Sequence, residues 1–386
     1  SEDTKVTDML YDCYAAAEAE EEFKPKLKKI KDRYDAIING LNLKLSLEEE
    51  FRIIAENFAK KAGSDYAASR GEYLNGIIMA AYLGYDFIDA AEVVFFDENG
   101  EFDADKTDKV LSARLEKSEK AVIPGFYGAK EDGSVVTFSR GGSDITGSIV
   151  AKAAKADMYE NWTDVSGFLI ADPRIIKNPE VIKVITYREL RELSYMGATV
   201  LHEDAVFPVR KAGIPINIRN TNAPEDEGTL IVESTCHQSK YTVTGIAGKK
   251  GFVAVNIDKD MMNSEVGFGR KVLQAFEQNG ISFEHVPSGI DTMTVFVHQE
   301  EFVGKEQQVL SAIHRLAQPL IAVVGRGMRS TRGTAGRIFS ALAHANVNVK
   351  MIDQGSSELN IIIGVANNDF ETAIEAIYDI FVKTQL

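Results

Sequence analysis

The sequence predicts an α/β protein in which a mostly parallel sheet lies between helices and is followed by two smaller, related modules. Between residues 87 and 162, β-rich stretches alternate with helical ones, which is typical of a parallel or mixed sheet covered by helices. In the final third, Gly269-Arg270 recurs as Gly336-Arg337 within a pattern of strand, glycine turn, helix, strand, hairpin and strand. That repeat predicts two split βαβ modules.

Composition limits the function. The chain has 386 residues, enough for more than one core, and a formal net charge of −15. Nucleic acid and anionic membranes both require a basic surface, so we expect neither as a partner. Cys13 and Cys236 are too few for a disulfide framework or a cysteine-based zinc site, which fits a protein of the reducing cytoplasm. We assign no metal ligands to the chain. No apolar run reaches the length of a membrane span.

The first part of the chain is helical. Residues 4–62 have helical apolar spacing and a charged surface. Because an α/β domain usually begins with a buried strand, we expect a first strand to precede Ser1 in the parent protein. A further helix is predicted to open at Ser69-Arg70-Gly71-Glu72, so that Glu72 lies in its first turn, where the helix dipole favours a carboxylate.

Residues 137–148 form the strongest candidate for a binding site. Residues 135–138 predict a strand, Gly141-Gly142 a tight turn, and Ser143 or Asp144 the N-cap of a helix, so free N–H groups would face an anion. Arg140 adds a forked cation suited to a carboxylate or phosphate, and Asp144 a carboxylate for magnesium or an amine. An ordinary βα turn with an exposed arginine explains these residues equally well at this point.

Two further turns follow strand ends, at 163–167 and 171–174. In a doubly wound fold, ligands bind beyond the carboxyl ends of the strands, so these turns are candidates for the same crevice. The remaining segments of this domain are predicted as a strand at 158–162, helices at 105–117, 187–196 and 201–211, a strand at 214–218, and a linker at 220–228.

These motifs, in this order, resemble those of aspartokinases, and the resemblance covers essentially the whole chain. It is most similar to the single-polypeptide, lysine-regulated bacterial type. The motifs that carry the resemblance are Lys5-Val6-Thr7-Asp8, Ser69-Arg70-Gly71-Glu72, Gly125-Phe126-Tyr127-Gly128, the Ser139 to Thr146 turn, Trp162-Thr163-Asp164, Asp172-Pro173-Arg174, the segment from Gly197 to His202, and Val286-Pro287-Ser288-Gly289-Ile290-Asp291.

The resemblance implies an amino acid kinase fold in residues 1–234 and two ferredoxin-like ACT domains in residues 235–386. One ACT module, at about 251–315, would be nested within the other, at 241–248 plus 319–386. The implied reaction is transfer of the ATP γ-phosphoryl group, with Mg²⁺, to the side-chain carboxylate of aspartate. This is the first step towards lysine, threonine and methionine. A homodimer or a dimer of dimers, paired through ACT domains, is also implied.

The resemblance also implies site residues. The positions that match the family's aspartate site are Thr7, Glu72, Phe126, Arg140 and Ser143, with Arg140 on a carboxylate and Glu72 on the amino group. Asp144 would lie between the two substrates and organise the reacting groups, and with Arg140 it is the catalytic candidate. The positions that match the nucleotide site are Thr163, Asp164, Leu169, Arg174 and Thr199, although many aspartokinases carry a lysine in place of Thr199.

An amino acid effector is the expected regulator. The candidate effector residues lie at the first module's strand-to-helix turn and on the strand and hairpin opposite, and are Met261, Ser264, Phe268, Gly269, Ser282, Phe283, Glu284 and Ser288. Glu284 suits a cationic side chain, which favours lysine over threonine as the effector. The turn glycines Gly267, Gly269, Gly325 and Gly327 leave backbone N–H groups open to a carboxylate, although close packing also explains them.

Aspartokinases open with a strand that ends in a Lys-Phe-Gly-Gly loop, and neither the loop nor its lysine occurs in these 386 residues. Phosphoryl transfer depends on charge neutralisation, so a chain without that lysine should be impaired while the parent protein is active. Two alternatives remain open: a catalytically silent amino-acid sensor, and another amino acid kinase.

Overall fold

The computed structural model describes residues 4–139, 141–197, 201, 203–235, 241–305, 309, 314–324, 328, 331–354 and 360–383. The chain divides into two compact units. Unit 1 comprises residues 1–161 and 201–217, and unit 2 comprises residues 162–200 and 218–386. Among the described residues, no helix combines the length and apolar character needed to cross a membrane.

Unit 1 begins with four helices, as the helical spacing predicts. They are α1 (Val6–Glu18), α2 (Lys24–Gly40), α3 (Glu48–Ala59) and α4 (Ser64–Leu83). Their apolar faces share one core in which Leu10, Ile30 and Phe58 are fully buried. Tyr34 on α2 donates a 2.8 Å hydrogen bond to the carbonyl oxygen of Gly71 on α4, so these helices are fixed by a polar contact as well as by packing.

Helix α4 begins earlier than the sequence predicts. It starts at Ser64 after Gly63, whose φ of 102° is unfavourable for other residues, and Asp65 occupies the first turn. The Asp65 carboxylate accepts a hydrogen bond from the backbone N–H of Thr137, which holds this end of the helix against a strand. The prediction that Glu72 lies in a first turn is therefore wrong, because the helix extends upstream through the good helix formers Ala67 and Ala68.

The α/β part of unit 1 follows. Its elements are β1 (Asp86–Phe87), α5 (Ala90–Val93), α6 (Ala104–Leu115), β2 (Ala121–Val122), β3 (Tyr127–Ala129), β4 (Val135–Thr137), α7 (Gly142–Ala153) and α9 (Glu203–Ala212). The strand β5 (Tyr159–Thr163) begins in unit 1 and ends in unit 2. Strands β1 and β2 are parallel and β3 and β4 antiparallel. Residues 87–96, which the sequence predicts to be β-rich, contain the short helix α5. Asp89 caps the N-terminus of this helix by accepting a hydrogen bond from the Ala91 N–H.

The next sheet has four strands in the order β5-β7-β8-β6. Strands β5 and β7 (Ile216–Asn220) begin in unit 1, and the rest of this part consists of β6 (Val184–Thr186), α8 (Tyr187–Tyr195) and β8 (Thr229–Val232). Thr186 and Glu189 form a capping box at the start of α8. Fully buried Glu189 also accepts a 2.5 Å hydrogen bond from the Thr244 hydroxyl, so α8 is tied to the residues that precede β9.

The rest of unit 2 is built on one six-stranded sheet in the order β10-β11-β9-β12-β14-β13. Its elements are β9 (Gly245–Asp258), α10 (Phe268–Glu277), β10 (Phe283–His285), β11 (Thr292–His298), α11 (Gln299–Phe302), β12 (His314–Val324), α12 (Thr334–His344), β13 (Val349–Asp353), β14 (Asn360–Val365) and α13 (Phe370–Tyr378). The order of strands and helices matches the predicted repeat. The long strands β9 and β12 pair with each other in both halves of the sheet.

Candidate active site

The turn before α7 brings several predicted substrate residues together. Helix α7 begins at Gly142 with Gly141 as its N-cap, in the left-handed region at φ 58°. Ser143 and Asp144 therefore lie inside the first turn, and the prediction that one of them is the N-cap is wrong. The physical reason is space, because a Cβ on Gly142 would lie 2.7 Å from the Cβ of Phe126, so only glycine fits where the helix starts.

Phe126 is held in a strained conformation beside this turn. Its φ is 65°, which is rare for a bulky side chain. Its N–H donates a 2.9 Å hydrogen bond to the Thr146 hydroxyl, which in turn donates to the Gly142 carbonyl oxygen at 2.8 Å. Strain of this kind is maintained only where the surroundings fix it, and it is common at binding sites. Phe126 and α7 thus form one fixed unit.

A cavity of about 720 Å³ opens against the same turn. Gly125, Ser143, Thr146 and Gly147 line one side of it. A Cβ on Gly125 would lie 3.2 Å from the Cα of Ser143, so the two predicted segments are in direct contact. The cavity gives a small ligand access to the Ser143 side of the helix terminus.

Glu72 has the most unusual environment of the predicted substrate residues. It lies in the interior of α4, and its Oε2 atom is buried without a hydrogen-bond partner among the residues that the structure describes. Burial raises the pKa of the Glu72 carboxyl above its ordinary value. The neighbouring Tyr34 hydroxyl has its pKa raised to about 12, by burial first and then by the charge of Glu72. A buried acceptor that none of the described residues satisfies fits a cationic ligand such as an ammonium group.

Thr7 lies on α1, which packs against the same helix. Val6 Cγ1 and Leu10 Cδ1 would each lie 3.6 Å from a Cβ at Gly71, so α1 meets α4 at the residue before Glu72. Thr7, the residue after Val6, is half-buried. Arg140 and Thr199, the other catalytic and nucleotide predictions, lie outside the described residues.

The predicted nucleotide residues belong to unit 2. Thr163 ends β5, and its hydroxyl donates a 3.3 Å hydrogen bond to the exposed carboxylate of Asp164. The Thr163 carbonyl oxygen accepts hydrogen bonds from the N–H and the hydroxyl of Thr221 at 2.8 and 2.9 Å. Residues 220–228 were predicted to be a linker, but the start of this loop thus holds the Thr163 turn in place.

A second contact fixes this turn. Ser166 donates a 2.5 Å hydrogen bond to Asp226 and accepts one of 2.8 Å from Asn220. Gly167 follows at φ 108°, and a Cβ there would lie 2.3 Å from the Thr229 hydroxyl oxygen. The close approach of Gly167 to β8 permits no side chain, which explains the glycine at this position.

Leu169 and Arg174 line a separate cavity of about 290 Å³ within unit 2. Arg174 binds the Asp172 carboxylate through two of its nitrogens at 2.6 to 3.0 Å, and its side chain remains 85% exposed. The hydrogen bonds from Arg174 hold the pKa of Asp172 below its ordinary value. Such an exposed, oriented guanidinium can exchange its carboxylate for a phosphate group.

The side chains of Asp164 and Arg174 are of the types that bind a nucleoside triphosphate and its magnesium ion. Mg²⁺ is usually held by one or two carboxylates together with substrate phosphates. The exposed Asp164 carboxylate offers one such ligand and Arg174 a phosphate-binding cation. Within the described ranges, no group of three or more His, Cys, Asp or Glu side chains is close enough to hold a metal.

The predicted effector residues fall into two groups. The turn after β9 contains Met261, which is in the left-handed region at φ 55°, and Ser264. In this turn the Asn263 N–H donates a hydrogen bond to the carbonyl oxygen of Ile290, which belongs to the hairpin that contains Ser288. Phe268 and Gly269 open α10, whose N-cap is Gly267. Glu265 in this turn binds Lys271 at 2.7 Å and Lys259 at 3.0 Å.

Ser282, Phe283 and Glu284 form the second group. Phe283 on β10 pairs with Val297, whereas the Met261 turn follows Asp258, which pairs with Thr292 at the other end of β11. Five residues of strand correspond to about 17 Å. Within one chain, the structure therefore separates Phe283 from Met261, although the sequence placed them opposite each other.

The sequence missed three residues that shape the candidate site. Thr146 fixes Phe126, Tyr34 lies beside Glu72, and Asn161 on β5 donates a 2.9 Å hydrogen bond to Asp144 Oδ1. For Asn161 a signal existed, since alternation along a strand places Tyr159, Asn161 and Thr163 on one face. Tyr159 has its pKa raised to about 12, chiefly by burial.

Comparison with known proteins gives these elements a family. The amino acid kinase family matches residues 13–220, and the ACT domain matches residues 321–381. Aspartokinase 3 of Bacillus subtilis (strain 168) is 38% identical over 408 aligned residues, which cover 99% of this chain and 89% of that protein. This chain belongs to the aspartokinase family.

Solved aspartokinase structures agree with this assignment. The aspartate kinase of Clostridium acetobutylicum is 50% identical with a TM-score of 0.91, and the match covers 99% of this chain and 90% of that one. E. coli aspartokinase III in complex with aspartate and ADP is 22% identical with a TM-score of 0.71, over 98% of this chain and 91% of that one, and shares the fold. The predicted order of an amino acid kinase fold followed by an ACT region is confirmed.

Proposed function

We propose that this aspartokinase transfers the γ-phosphoryl group of ATP to the side-chain carboxylate of aspartate. The observation that carries the proposal is the buried, unpaired Oε2 of Glu72, in a chain that belongs to the aspartokinase family. An α-ammonium group would satisfy this oxygen and remove the cost of burying it alone. Arg140, from its matching position, would bind a carboxylate of the same substrate.

The reaction is an in-line displacement. A carboxylate oxygen of aspartate attacks the γ-phosphorus, the bond between that phosphorus and the bridging oxygen breaks, and ADP leaves with the bonding electron pair. The product is 4-phospho-aspartate, an acyl phosphate, with no covalent enzyme intermediate. In phosphoryl transfer the protein contributes positioning and charge stabilisation, so the roles to assign are those of groups that hold the two substrates.

Each group of residues then has a part. Glu72, Thr7, Phe126 and Ser143 would bind aspartate, and the N-terminus of α7 would stabilise negative charge beside Asp144. Thr163, Asp164, Leu169 and Arg174 would bind the nucleotide, with Arg174 on phosphate. Mg²⁺, when bound, neutralises phosphate charge. Asp144 would orient the reacting groups.

Coupled detection of ADP and trapping of the acyl phosphate with hydroxylamine test the proposal. With the full-length protein we expect turnover with L-aspartate, and a value of kcat/KM roughly 100-fold lower or worse with N-acetyl-L-aspartate, which lacks the ammonium group that Glu72 would bind. Equal rates with L-glutamate and L-aspartate, or no ADP with L-aspartate, would refute it. Calorimetry should show tighter ATP binding with Mg²⁺ than with a chelator.

Lysine is the proposed feedback inhibitor, acting through a homodimer or a dimer of dimers. Support comes from the Glu284 carboxylate, which suits a cationic side chain, and from the open N-terminus of α10 beside the Met261 turn. Since one chain separates Phe283 and Glu284 from Met261, a pocket that includes all three would need a second chain. The exposed apolar side chains of Met261 and Phe283 are consistent with such pairing.

A further inference from the structure

Asn161 contacts the predicted catalytic carboxylate directly. Its Nδ2 donates one hydrogen bond of 2.9 Å to Asp144 Oδ1 and another of 2.9 Å to the hydroxyl oxygen of Tyr159. The Tyr159 hydroxyl in turn donates a longer hydrogen bond, 3.4 Å, to the backbone carbonyl oxygen of Asp144. Both N–H bonds of the amide are thus used, and the three residues form a closed network that reaches the carboxylate and the backbone carbonyl oxygen of Asp144.

The direction of these hydrogen bonds is fixed by chemistry. An ionised carboxylate only accepts hydrogen bonds, so the amide must present its NH₂ group, and not its oxygen, to Asp144. The hydroxyl of Tyr159 accepts from the same NH₂ group and uses its own hydrogen for the Asp144 carbonyl. A hydrogen bond to a charged acceptor is stronger than a neutral one, so Asn161 is well suited to hold Asp144 in one rotamer.

The backbone places these groups close together. Tyr159 and Asn161 alternate with exposed Glu160 and Trp162 along β5, so the first pair faces inwards, and Asn161 is only 8% exposed. Gly147 on α7 permits the approach, because a Cβ there would lie 2.5 Å from the Tyr159 hydroxyl oxygen. The Tyr159 N–H donates a 2.9 Å hydrogen bond to the Pro215 carbonyl oxygen, which fixes β5 beside the next strand.

We propose that Asn161, supported by Tyr159, is a positioning residue that holds the Asp144 carboxylate in its reactive orientation. The inference rests on the proposed kinase activity and on Asp144 as the group that orients the reacting atoms. A buried amide on the inner face of a strand is costly unless both of its donors are used, and here both are used on this network. Catalytic geometry is sensitive to displacements of about 1 Å, so loss of this contact should reduce turnover.

Two substitutions separate hydrogen bonding from packing. Asn161→Asp keeps the size of the side chain but removes the donor and places a second carboxylate beside Asp144. Asn161→Leu removes the polar group altogether. We expect kcat to fall by about 10- to 100-fold in both, with the Michaelis constants for aspartate and ATP changed by less than about threefold. Tyr159→Phe should cause a smaller fall, because only the second donor of the amide loses its acceptor.

Asn57→Leu is the matched control. Asn57 also donates a 2.8 Å hydrogen bond from its Nδ2 to a tyrosine hydroxyl, that of Tyr66, but in the helical part of unit 1. We expect this variant to lower thermal stability without a fall in kcat. Asn161→Asp and Tyr159→Phe keep the test decisive should Asn161→Leu fail to fold, because both keep the shape of the side chain they replace.

Asp144→Asn distinguishes failure of the inference from failure of the proposed function. We expect this variant to lose most turnover, and the double variant Asp144→Asn/Asn161→Leu to be no slower than Asp144→Asn within about twofold, since Asn161 acts through Asp144. If Asp144→Asn is inactive while Asn161→Asp retains wild-type kcat, the inference is wrong and the function stands. If the wild-type enzyme does not phosphorylate aspartate, or Asp144→Asn keeps full turnover, the role of Asp144 fails and the inference with it.

Discussion

The backbone N–H of Ile246 donates a 2.7 Å hydrogen bond to the carbonyl oxygen of Ile170. Ile246 belongs to β9 of the six-stranded sheet, and Ile170 follows Leu169 in the segment that leads to Arg174. One strand of the six-stranded sheet is therefore bonded directly to the segment that we propose for nucleotide binding. If a ligand makes that segment more rigid, hydrogen exchange at the Ile246 amide should change.

We expect amide hydrogen exchange at Ile246 to slow when ATP binds with Mg²⁺, by about threefold or more, because a ligand on Leu169 and Arg174 suppresses local opening of the Ile170 partner. Exchange measured by mass spectrometry or NMR checks this. The amide of Val255 is the internal reference, since it lies in the middle of β9 between β11 and β12. Equal slowing at both amides would indicate global stabilisation and contradict the local effect.

Glu72→Gln should weaken the binding of aspartate and, at the same time, stabilise the fold. Removing the negative charge leaves the substrate ammonium without its counter-ion, so we expect the Michaelis constant for aspartate to rise about 10-fold or more, with that for ATP little changed. Steady-state kinetics decide between these outcomes. An unchanged Michaelis constant for aspartate would show that Glu72 does not contact the substrate.

The pH dependence of this variant has a definite sign. Burial raises the folded-state pKa of Glu72 above its unfolded value near 4.5, so the folded protein holds this proton more strongly than the unfolded chain. Wild-type stability then declines as pH rises from the unfolded value through the folded one, and stays reduced above it. We expect Glu72→Gln to melt at a higher temperature than wild type at neutral pH, with the difference vanishing below about pH 4.

Arg140→Ala is expected to weaken the binding of aspartate far more than the binding of ATP. Loss of one partner of a charge-assisted pair to a carboxylate costs on the order of 2–5 kcal/mol. The Michaelis constants for both substrates in the full-length enzyme provide the measurement. Arg52→Ala serves as the control, because Arg52 lies on the surface of α3 and binds Glu49 and Glu56 there. Normal aspartate kinetics in Arg140→Ala would exclude the assignment.

Gly167→Ala should destabilise unit 2 and weaken ATP binding. Its positive φ costs an alanine about 1 kcal/mol, and the contact of its Cβ with the Thr229 hydroxyl adds roughly 1–3 kcal/mol. Gly133 also has a positive φ, 83°, but a Cβ there meets nothing within 4 Å. Chemical denaturation of Gly167→Ala and Gly133→Ala therefore isolates the steric part. Equal losses of unfolding free energy would show that β8 moves away freely.

Lysine should inhibit the full-length enzyme. Glu284→Ala and Ser264→Ala should each weaken that inhibition about 10-fold without changing the uninhibited rate. A coupling free energy of about 1–3 kcal/mol between the effector site and the active site is typical. Activity assays with lysine, threonine or both test this. Glu277→Ala, an exposed acid at the end of α10, is the control. Inhibition by threonine alone would refute lysine as the effector, and binding of neither would refute a regulatory role for these residues.

Local patterns predicted the order of the elements well, because helix and strand periodicity depends on residues close in sequence. They failed where tertiary contacts decide. The start of α4 depends on Gly63 and on the Asp65 bond to Thr137, 72 residues away. The start of α7 depends on the distance between Gly142 and Phe126.

The chemistry of the candidate site was harder to predict from the sequence than the order of the elements. Sequence motifs identified Glu72 as a candidate, but the lack of a partner for its Oε2 could be found only from the surrounding atoms. Asn161 and Asp144 are 17 residues apart, and neither forms part of a pattern that requires the other. The roles of Arg140 and Thr199 stay predictions from the sequence, since both lie outside the described residues.

The pairing of strand β9 has a mechanical consequence for the six-stranded sheet. Ten residues of this 14-residue strand pair with β12, and the register between the two strands shifts between Gln318 and Leu320. If a whole strand shifted its pairing register by one residue, every side chain of that strand would turn to the opposite face, and a packed sheet resists such a shift. A bulge, by contrast, bends and twists a strand locally. Torsion applied at the β10 edge would therefore concentrate at Gln318, as a pivot between two stiff half-sheets.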